Sequence, residues 1–105
     1  MNRIRTAAMI LLAASIAAPA FAQSAGADTY KAKCAMCHGP DGTASTPMGK
    51  GMKIPSFKDP EQVKASDAAL AAITKDGKGK MPAYNGKLTD AQIKEVVSYI
   101  RTLQK

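Results

Sequence analysis

The sequence predicts an all-α fold, made of a few helices and with no convincing pair of strands. The clearest evidence lies near the carboxyl end, where Thr89 and Gln92 have the spacing of a capping box at the start of a helix. Apolar residues then recur at helical spacing, which places them on one side of that helix and predicts that they lie in the core. These residues are Ile93, Val96, Val97, Ile100 and Leu103.

A first helix is predicted over residues 26–34. Within and just beyond it, Tyr30, Cys34 and Cys37 are spaced so that they fall along one side of a helix. Residues 39–42, which contain two glycines and a proline, favour a turn that ends it. This arrangement puts both cysteines of the chain at the end of the first helix.

The middle of the chain holds one further predicted helix between two loops. Residues 43–57 contain glycines and prolines but no helical repeat, which predicts a loop. Ser66 and Asp67 form a good N-cap for a helix over residues 68–75. A second loop, rich in glycine, is predicted at residues 77–82.

Residues 1–22 have the three parts of a secretory signal peptide. A basic head precedes an apolar run at residues 7–18, and Ala20 and Ala22 provide the small residues of a cleavage site. The apolar run is too short to span a bilayer comfortably, which argues against a retained membrane anchor. The sequence therefore predicts cleavage after Ala22 and export of one periplasmic domain, residues 23–105, that does not span the membrane.

The predicted domain is too small to be stabilised easily by an apolar core alone. A chain of 105 residues is expected to form one domain, and removal of residues 1–22 would leave 83 residues. A domain of that size usually needs a disulfide, a metal or another staple besides its apolar core. A bridge between the two cysteines would close only a very short loop and would constrain the unfolded chain little. A large apolar cofactor would supply the missing stability.

The segment Cys34-Ala35-Met36-Cys37-His38 carries the chemistry. A CxxC pair followed at once by histidine is the attachment pattern of c-type haem, because the sulfurs of Cys34 and Cys37 can reach both vinyl groups while His38 binds the iron. A thioredoxin-like redox pair would need a βαβ setting. A structural zinc site would need four ligands, and the chain offers two cysteines and one histidine.

The second axial ligand of the iron is predicted to be Met81. Because His38 is the only histidine, bis-histidine ligation within one chain is excluded, and methionine, lysine, an external molecule or no ligand remain. Met81 lies far beyond His38 in a loop bordered by glycine and proline, so the chain can pass round the haem and return over its other face. Met48 and Met52 follow His38 too closely for that path and are predicted to fill gaps in the core.

With these residues, the chain resembles the class I (mitochondrial-type) cytochromes c, and most closely their short bacterial and photosynthetic members. The resemblance covers residues 26–104. It rests on the attachment motif, on the sequence GKGKMPAY around Met81, and on LTDAQIKEVVSYI at residues 88–100. It implies a cytochrome c-like fold, in which a few helices wrap around one covalently attached haem.

The resemblance also implies roles for individual residues. Pro47 is similar to the family proline whose carbonyl accepts a hydrogen bond from the axial histidine, and such a bond would fix the tautomer of His38. Tyr84 would lie near the haem. Four residues would meet where the first and last helices cross: Gly26, Tyr30, Val96 and Tyr99.

Histidine and methionine ligation raises the reduction potential of a haem and closes the iron to other ligands, so the sequence predicts a one-electron carrier and not an enzyme. The alternative is a haem-based catalytic or gas-binding protein with a labile sixth ligand. Such a site needs distal acid–base groups, which a chain with a single histidine is poorly equipped to supply. The sequence does not separate a free carrier from a subunit docked in a larger complex.

The expected partners are a redox protein that donates electrons and another that accepts them. The formal net charge is +7, and lysines that surround the attachment motif and Met81 would favour docking through an acidic partner surface, although an ordinary solvated surface explains them equally simply. No nucleic-acid-binding motif is present and nothing suggests an obligate assembly, so a monomer is expected. The lysines are Lys31, Lys33, Lys50, Lys53, Lys75, Lys78, Lys80 and Lys87.

Overall fold

The computed structural model describes the backbone of residues 17–105 and the side chains of residues 24–105. Within these residues the backbone forms no strand, and only isolated bridges join Lys78 to Met81 and Asn85 to Leu88. The predicted all-α class is therefore confirmed. The helices are α1 (Ala17–Lys33), α2 (Ala35–His38), α3 (Pro47–Gly51), α4 (Pro60–Lys64), α5 (Asp67–Asp76) and α6 (Asp90–Leu103).

Helix α1 begins earlier than the sequence predicted. Its backbone is helical from Ala17 and not from residue 26, because the added residues are rich in alanine, the strongest helix former. Pro19 is tolerated in the first turn, where its missing N–H would have no helical acceptor. Residues 1–16, most of the predicted signal peptide, lie outside the described residues. Of the helices described, none is long and apolar enough to cross a membrane.

Two short helices, α3 and α4, were missed by the sequence analysis. The side chain of Thr46 accepts a backbone hydrogen bond at the start of α3, and Pro47 occupies the first helical position. Pro60 likewise occupies the first position of α4, after Asp59, whose side chain makes no cap hydrogen bond. A capping residue followed by proline is a helix-start signal, so the prediction of an unbroken loop over residues 43–57 is wrong.

Helices α5 and α6 begin at the predicted caps. The Ser66 hydroxyl accepts a hydrogen bond from the N–H of Ala69 at the start of α5. Thr89 and Gln92 form both hydrogen bonds of the capping box at the start of α6. Four apolar residues on the predicted side of α6 are buried, and Leu103 packs against them half-buried. The buried four are Ile93, Val96, Val97 and Ile100.

The core forms where α1 packs against α6. Tyr30 from α1 and Val96 from α6 are fully buried there, with Phe57 and Ile100 beside them. Phe57 comes from the segment between α3 and α4, so that segment is drawn into the crossing of the first and last helices. Its position ties the core directly to the attachment motif.

A glycine makes this crossing possible. A Cβ on Gly26 would collide with the carbonyl oxygen of Glu95 and would lie 3.2 Å from the Cβ of Tyr99, so only glycine lets the two backbones come this close. The rings of Tyr30 and Tyr99 lie 5.3 Å apart at the same crossing. The contacts that the family resemblance implied for this crossing are confirmed.

Candidate haem-attachment site

The attachment motif is folded into a single short helical turn. The chain bends at Cys34, between α1 and α2, where the Cys34 N–H still donates to the Tyr30 carbonyl at 2.8 Å. The His38 N–H donates in turn to the Cys34 carbonyl at 3.0 Å. Cys34, Cys37 and His38 are all half-buried, and both cysteines are free thiols. This turn sets the spacing of the two sulfurs and the imidazole.

The two thiols have different surroundings. Cys34 packs against the core, and its burial, followed by the nearby Cys37, raises the pKa of its thiol to about 11. Cys34 is therefore a protonated thiol at neutral pH. Cys37 faces outwards and its Sγ donates to the Sδ of Met48 at 3.4 Å. The first sulfur is thus fixed to the core and the second lies beside α3.

His38 presents a neutral imidazole. Burial lowers the pKa of His38, which favours the neutral form that binds metals. The ring stacks on that of Phe57, with 4.6 Å between ring centroids and 15° between planes. The Nδ1 atom is buried and has no hydrogen-bond partner among the described residues.

The hydrogen bond from His38 that the resemblance implied for Pro47 is not formed among the described residues. Pro47 is the first residue of α3, a helix that the sequence analysis missed, and no carbonyl accepts a hydrogen bond from Nδ1 of His38 within the described part of the chain. Helix α3 instead packs on Cys37. The Thr46 hydroxyl donates to the Cys37 carbonyl at 3.2 Å, and a Cβ on Gly49 would lie 2.5 Å from the same oxygen.

The backbone at His38 and Gly39 is held by two hydrogen bonds that no sequence pattern predicts. The Tyr30 hydroxyl, buried in the core, donates to the Gly39 carbonyl at 2.6 Å. The Ala44 N–H donates to the His38 carbonyl at 2.7 Å, with Ala44 in the left-handed conformation at φ 57°. We call residues 34–57 the attachment region, since they pack around this turn.

Met81 lies in a second region, the Met81 loop, residues 77–88. The Met81 side chain is half-buried, and its backbone exchanges hydrogen bonds with Lys78 at 2.9 and 3.1 Å. Tyr84 links this loop to the end of α1, directly before the attachment motif: its hydroxyl donates to the Lys33 carbonyl at 3.0 Å. Burial, and then the charges of Cys34 and Cys37, raise the pKa of Tyr84.

The other two candidate methionine ligands lie on the surface. Met48 is 42% exposed and Met52 is 37% exposed, so neither fills the protein core as predicted. Their exposure follows from α3, which directs its buried residue, Gly49, towards Cys37. Met48 reaches back only to the outward-facing thiol.

The residues present fit a covalently attached haem. Two free thiols and a neutral imidazole stand on one turn, and the buried, unpaired Nδ1 leaves the imidazole without a protein hydrogen bond among the described residues. These residues hold no cluster of three or more metal-binding side chains that would suit a bare ion instead. The donor set therefore matches a porphyrin better than a protein-bound metal ion.

Comparisons with known proteins lead to the same class of cofactor. The family model described as cytochrome c oxidase, cbb3-type, subunit III matches residues 21–100. Cytochrome c6 of Picosynechococcus sp. is 35% identical over 95% of this chain and 92% of its own length. Cytochrome c-551 of Halorhodospira halochloris is 40% identical over 64% of this chain and 77% of its own length.

A larger protein matches in one part only. The cbb3-type cytochrome c oxidase subunit CcoP of Cereibacter sphaeroides is 35% identical over 74% of this chain, but the match covers 26% of that subunit. Among solved structures, the KustC0563 c-type cytochrome superimposes with a TM-score of 0.70 at 32% identity, over 76% of this chain and 98% of that chain. The predicted cytochrome c-like fold is confirmed.

Proposed function

The chain belongs to the cytochrome c family, among its small class I members, and we propose that it is a soluble monohaem carrier of single electrons. Proteins of this family bind haem c covalently, with its iron. The observation that carries the proposal is the folded CxxCH turn, in which a neutral, half-buried His38 follows two free thiols. The haem would supply an iron that cycles between the ferrous and ferric states.

Each residue of the turn has a separate role in the proposed site. Cys34 and Cys37 would bind the haem through two thioether bonds, and the core contact of Cys34 would make the cofactor part of the folded core. His38 would bind the iron through its imidazole. Its low pKa keeps the ligating nitrogen free of a competing proton at neutral pH.

Met81 is the proposed second axial ligand. The Tyr84 hydroxyl draws the Met81 loop towards the attachment motif, which supports a return of the chain over the haem. Met81 is also more buried than Met48 and Met52. A thioether ligand favours the ferrous state and raises the potential, and a closed iron suits electron transfer better than catalysis. The resemblance to cytochromes c6 and c-551 agrees with a carrier and not an enzyme.

Export to the periplasm is part of the same proposal. Residues 1–22 would act as a cleaved signal peptide and residues 23–105 would form the mature domain. The family model begins to match at residue 21, close to the proposed boundary, which supports this division. Export also suits the chemistry, since c-type haem is attached after export.

Docking would use the lysines around the two haem-binding regions. Seven of the eight are exposed, whereas Lys75 is half-buried and pairs with Asp90 at 3.3 Å, so it contributes less to the surface charge. An acidic redox partner would be attracted by the remaining charges, and salt would screen that attraction. We expect association with an acidic partner to slow as the ionic strength rises. A rate that does not respond to salt would exclude the lysine surface as the docking site.

The first test is an optical spectrum of the mature protein, expressed in a host that attaches c-type haem. A c-type reduced spectrum is expected, together with the weak near-infrared band of methionine sulfur on ferric iron. Met81→Ala should abolish that band and lower the potential, whereas Met48→Ala and Met52→Ala should leave both unchanged. An unchanged band in Met81→Ala would show that the ligand is assigned wrongly, and absence of haem would overturn the whole proposal.

A further inference from the structure

Phe57 is the only aromatic side chain that the structure describes in stacking contact with the proposed axial histidine. Its ring lies nearly parallel to that of His38, with 4.6 Å between centroids and 15° between planes. Phe57 itself is 7% exposed and belongs to the core cluster at the crossing of α1 and α6. One flat face of the imidazole is therefore set by a ring that the core holds.

The backbone of Phe57 is fixed from two sides. Its N–H donates to the Gly42 carbonyl at 2.9 Å, within the attachment region. Its carbonyl accepts a hydrogen bond at 3.0 Å from the side-chain amide of Gln104, at the end of α6. A Cβ on Gly42 would lie 3.1 Å from the Phe57 ring, so the ring also has little room to shift towards that side.

Gln104 is in turn held by its neighbours at the end of α6. Its side-chain oxygen accepts a hydrogen bond from the Arg101 guanidinium at 3.0 Å, and its amide donates a second one to the Gln62 carbonyl at 3.3 Å. Arg101 also forms an ion pair with Asp67 at 2.8 Å. The end of α6 is thereby connected through Phe57 to the imidazole of His38.

From this chain of contacts we propose that Phe57 is a positioning residue, which sets the plane of the His38 imidazole, and that Gln104 supports it from α6. The inference rests on the proposed role of His38 as an iron ligand. A histidine ring bound to iron through one nitrogen can still rotate about that bond. A stacked aromatic ring restricts this rotation, because turning the imidazole would break the face-to-face contact.

The orientation of an axial imidazole has its own spectroscopic signature. In low-spin ferric haem, the imidazole plane determines how the iron d orbitals split, and hence the g values and the spread of the haem methyl shifts. A side chain that only stabilises the fold would leave these quantities unchanged. The g values and haem methyl shifts therefore distinguish a residue that orients the imidazole from one that only packs in the core.

The test compares haem-loaded variants by electron paramagnetic resonance, paramagnetic NMR and denaturant unfolding. Phe57→Leu keeps an apolar core but removes the flat ring, and should shift the largest g value and the methyl shifts. Phe57→Tyr keeps the ring and should restore the original values. Ile100→Ala, in the same core cluster, should lower stability as much or more while leaving the spectra as they were.

Gln104→Leu provides a milder variant at the half-buried end of α6, and should shift the spectra in the same direction by a smaller amount. Identical spectra in Phe57→Leu and the original protein would overturn the proposal, as would equal shifts in Ile100→Ala. If Phe57→Leu yields no holoprotein, unchanged spectra in Gln104→Leu would overturn it in the same way. If the unsubstituted protein contains no low-spin haem, the proposed function fails together with this inference. If it does contain low-spin haem but the variants do not shift its spectra, only this inference fails.

Discussion

The two regions that would contribute the iron ligands are built differently. The attachment region is held by buried contacts to His38 from Ala44 and Phe57, and to the neighbouring Gly39 from Tyr30. The Met81 loop is tied to the attachment motif by one exposed hydrogen bond from Tyr84, besides its backbone bonds to the end of α5. Exposed hydrogen bonds contribute little net stability, whereas buried ones are costly to break. The histidine side should therefore be rigid and the methionine side easier to open.

The two regions also differ in which residues adopt the left-handed backbone conformation. Within the Met81 loop every described residue with positive φ is a glycine, which adopts this conformation without strain. The attachment region includes Ala44 at φ 57° and Lys53 at φ 58°, where a side chain makes the conformation costly. Such strain persists only where surrounding contacts determine the backbone. The attachment region thus accepts local strain that the Met81 loop avoids.

The largest expected effect lies in the attachment region, at Gly49. A Cβ there would meet backbone oxygens of Cys37 and Ala44 at 2.5 Å, and backbone cannot move aside as a side chain can. Gly49→Ala should lower the free energy of unfolding by about 3 kcal/mol, measured by denaturant titration of the holoprotein. Gly51→Ala is the control in the same helix, because nothing lies within 4 Å of its Cβ position. Equal losses in the two variants would contradict the close packing of α3 on Cys37.

The corresponding change in the Met81 loop is Gly77→Ala. Gly77 has φ 80°, and its Cβ would lie 2.8 Å from the Met81 carbonyl oxygen. We expect a loss of about 2 kcal/mol and a weaker methionine band, with the covalent haem retained. Gly79→Ala, at φ 58° with open space around it, should show only the backbone cost of about 1 kcal/mol. A methionine band that survives intact in Gly77→Ala would argue against Met81 as the ligand.

Substitution of one tyrosine hydroxyl in each region compares the two regions directly. Tyr30→Phe removes a buried hydrogen bond to the Gly39 carbonyl, which then keeps only the Gly42 N–H as a donor at 3.1 Å, and should destabilise the protein by about 1 kcal/mol. Tyr84→Phe removes an exposed bond and should cost about 0.5 kcal/mol of global stability. Heating should nevertheless abolish the methionine band at a lower temperature in Tyr84→Phe, because this bond holds the Met81 loop. If Tyr30→Phe lowers that temperature more than Tyr84→Phe does, the contrast between the regions fails.

The smallest effect should be a gain in stability at Lys53. Lys53→Gly relieves the left-handed backbone at an exposed position and should raise the free energy of unfolding by about 0.5 kcal/mol. Lys50→Gly makes the same change within helix α3, and should lower it by about 1 kcal/mol. Thermal unfolding of both variants gives the sign of each effect. A loss at both positions would show that Lys53 is not strained.

The sequence predicted the features that depend on short-range patterns. The capping box of α6, its buried side and the spacing of Cys34, Cys37 and His38 are local, and periodicity or spacing reveals them. Helix α3 was missed although Thr46 and Pro47 carried its start signal, because glycines on either side suggested a loop. Pro47, whose place in a helix the loop prediction did not include, is the first residue of α3.

Other parts of the site depend on contacts between distant segments. The stacking of Phe57 on His38 joins two segments that have no common periodicity, so no pattern in the chain points to it. The donation from Tyr84 to the Lys33 carbonyl spans 51 residues, and its acceptor is a backbone atom that every residue possesses. A sequence motif can therefore identify a functional side chain, but it does not show which distant backbone atom that side chain binds.

The close approach at Gly26 has a consequence for the order in which the protein matures. The core needs α1 and α6 together, so it cannot form until the last helix has been synthesised. The attachment motif directly follows α1 and emerges well before α6. Haem could therefore be attached before the core has formed. The packing of α6 against α1 would then complete the core around the cofactor.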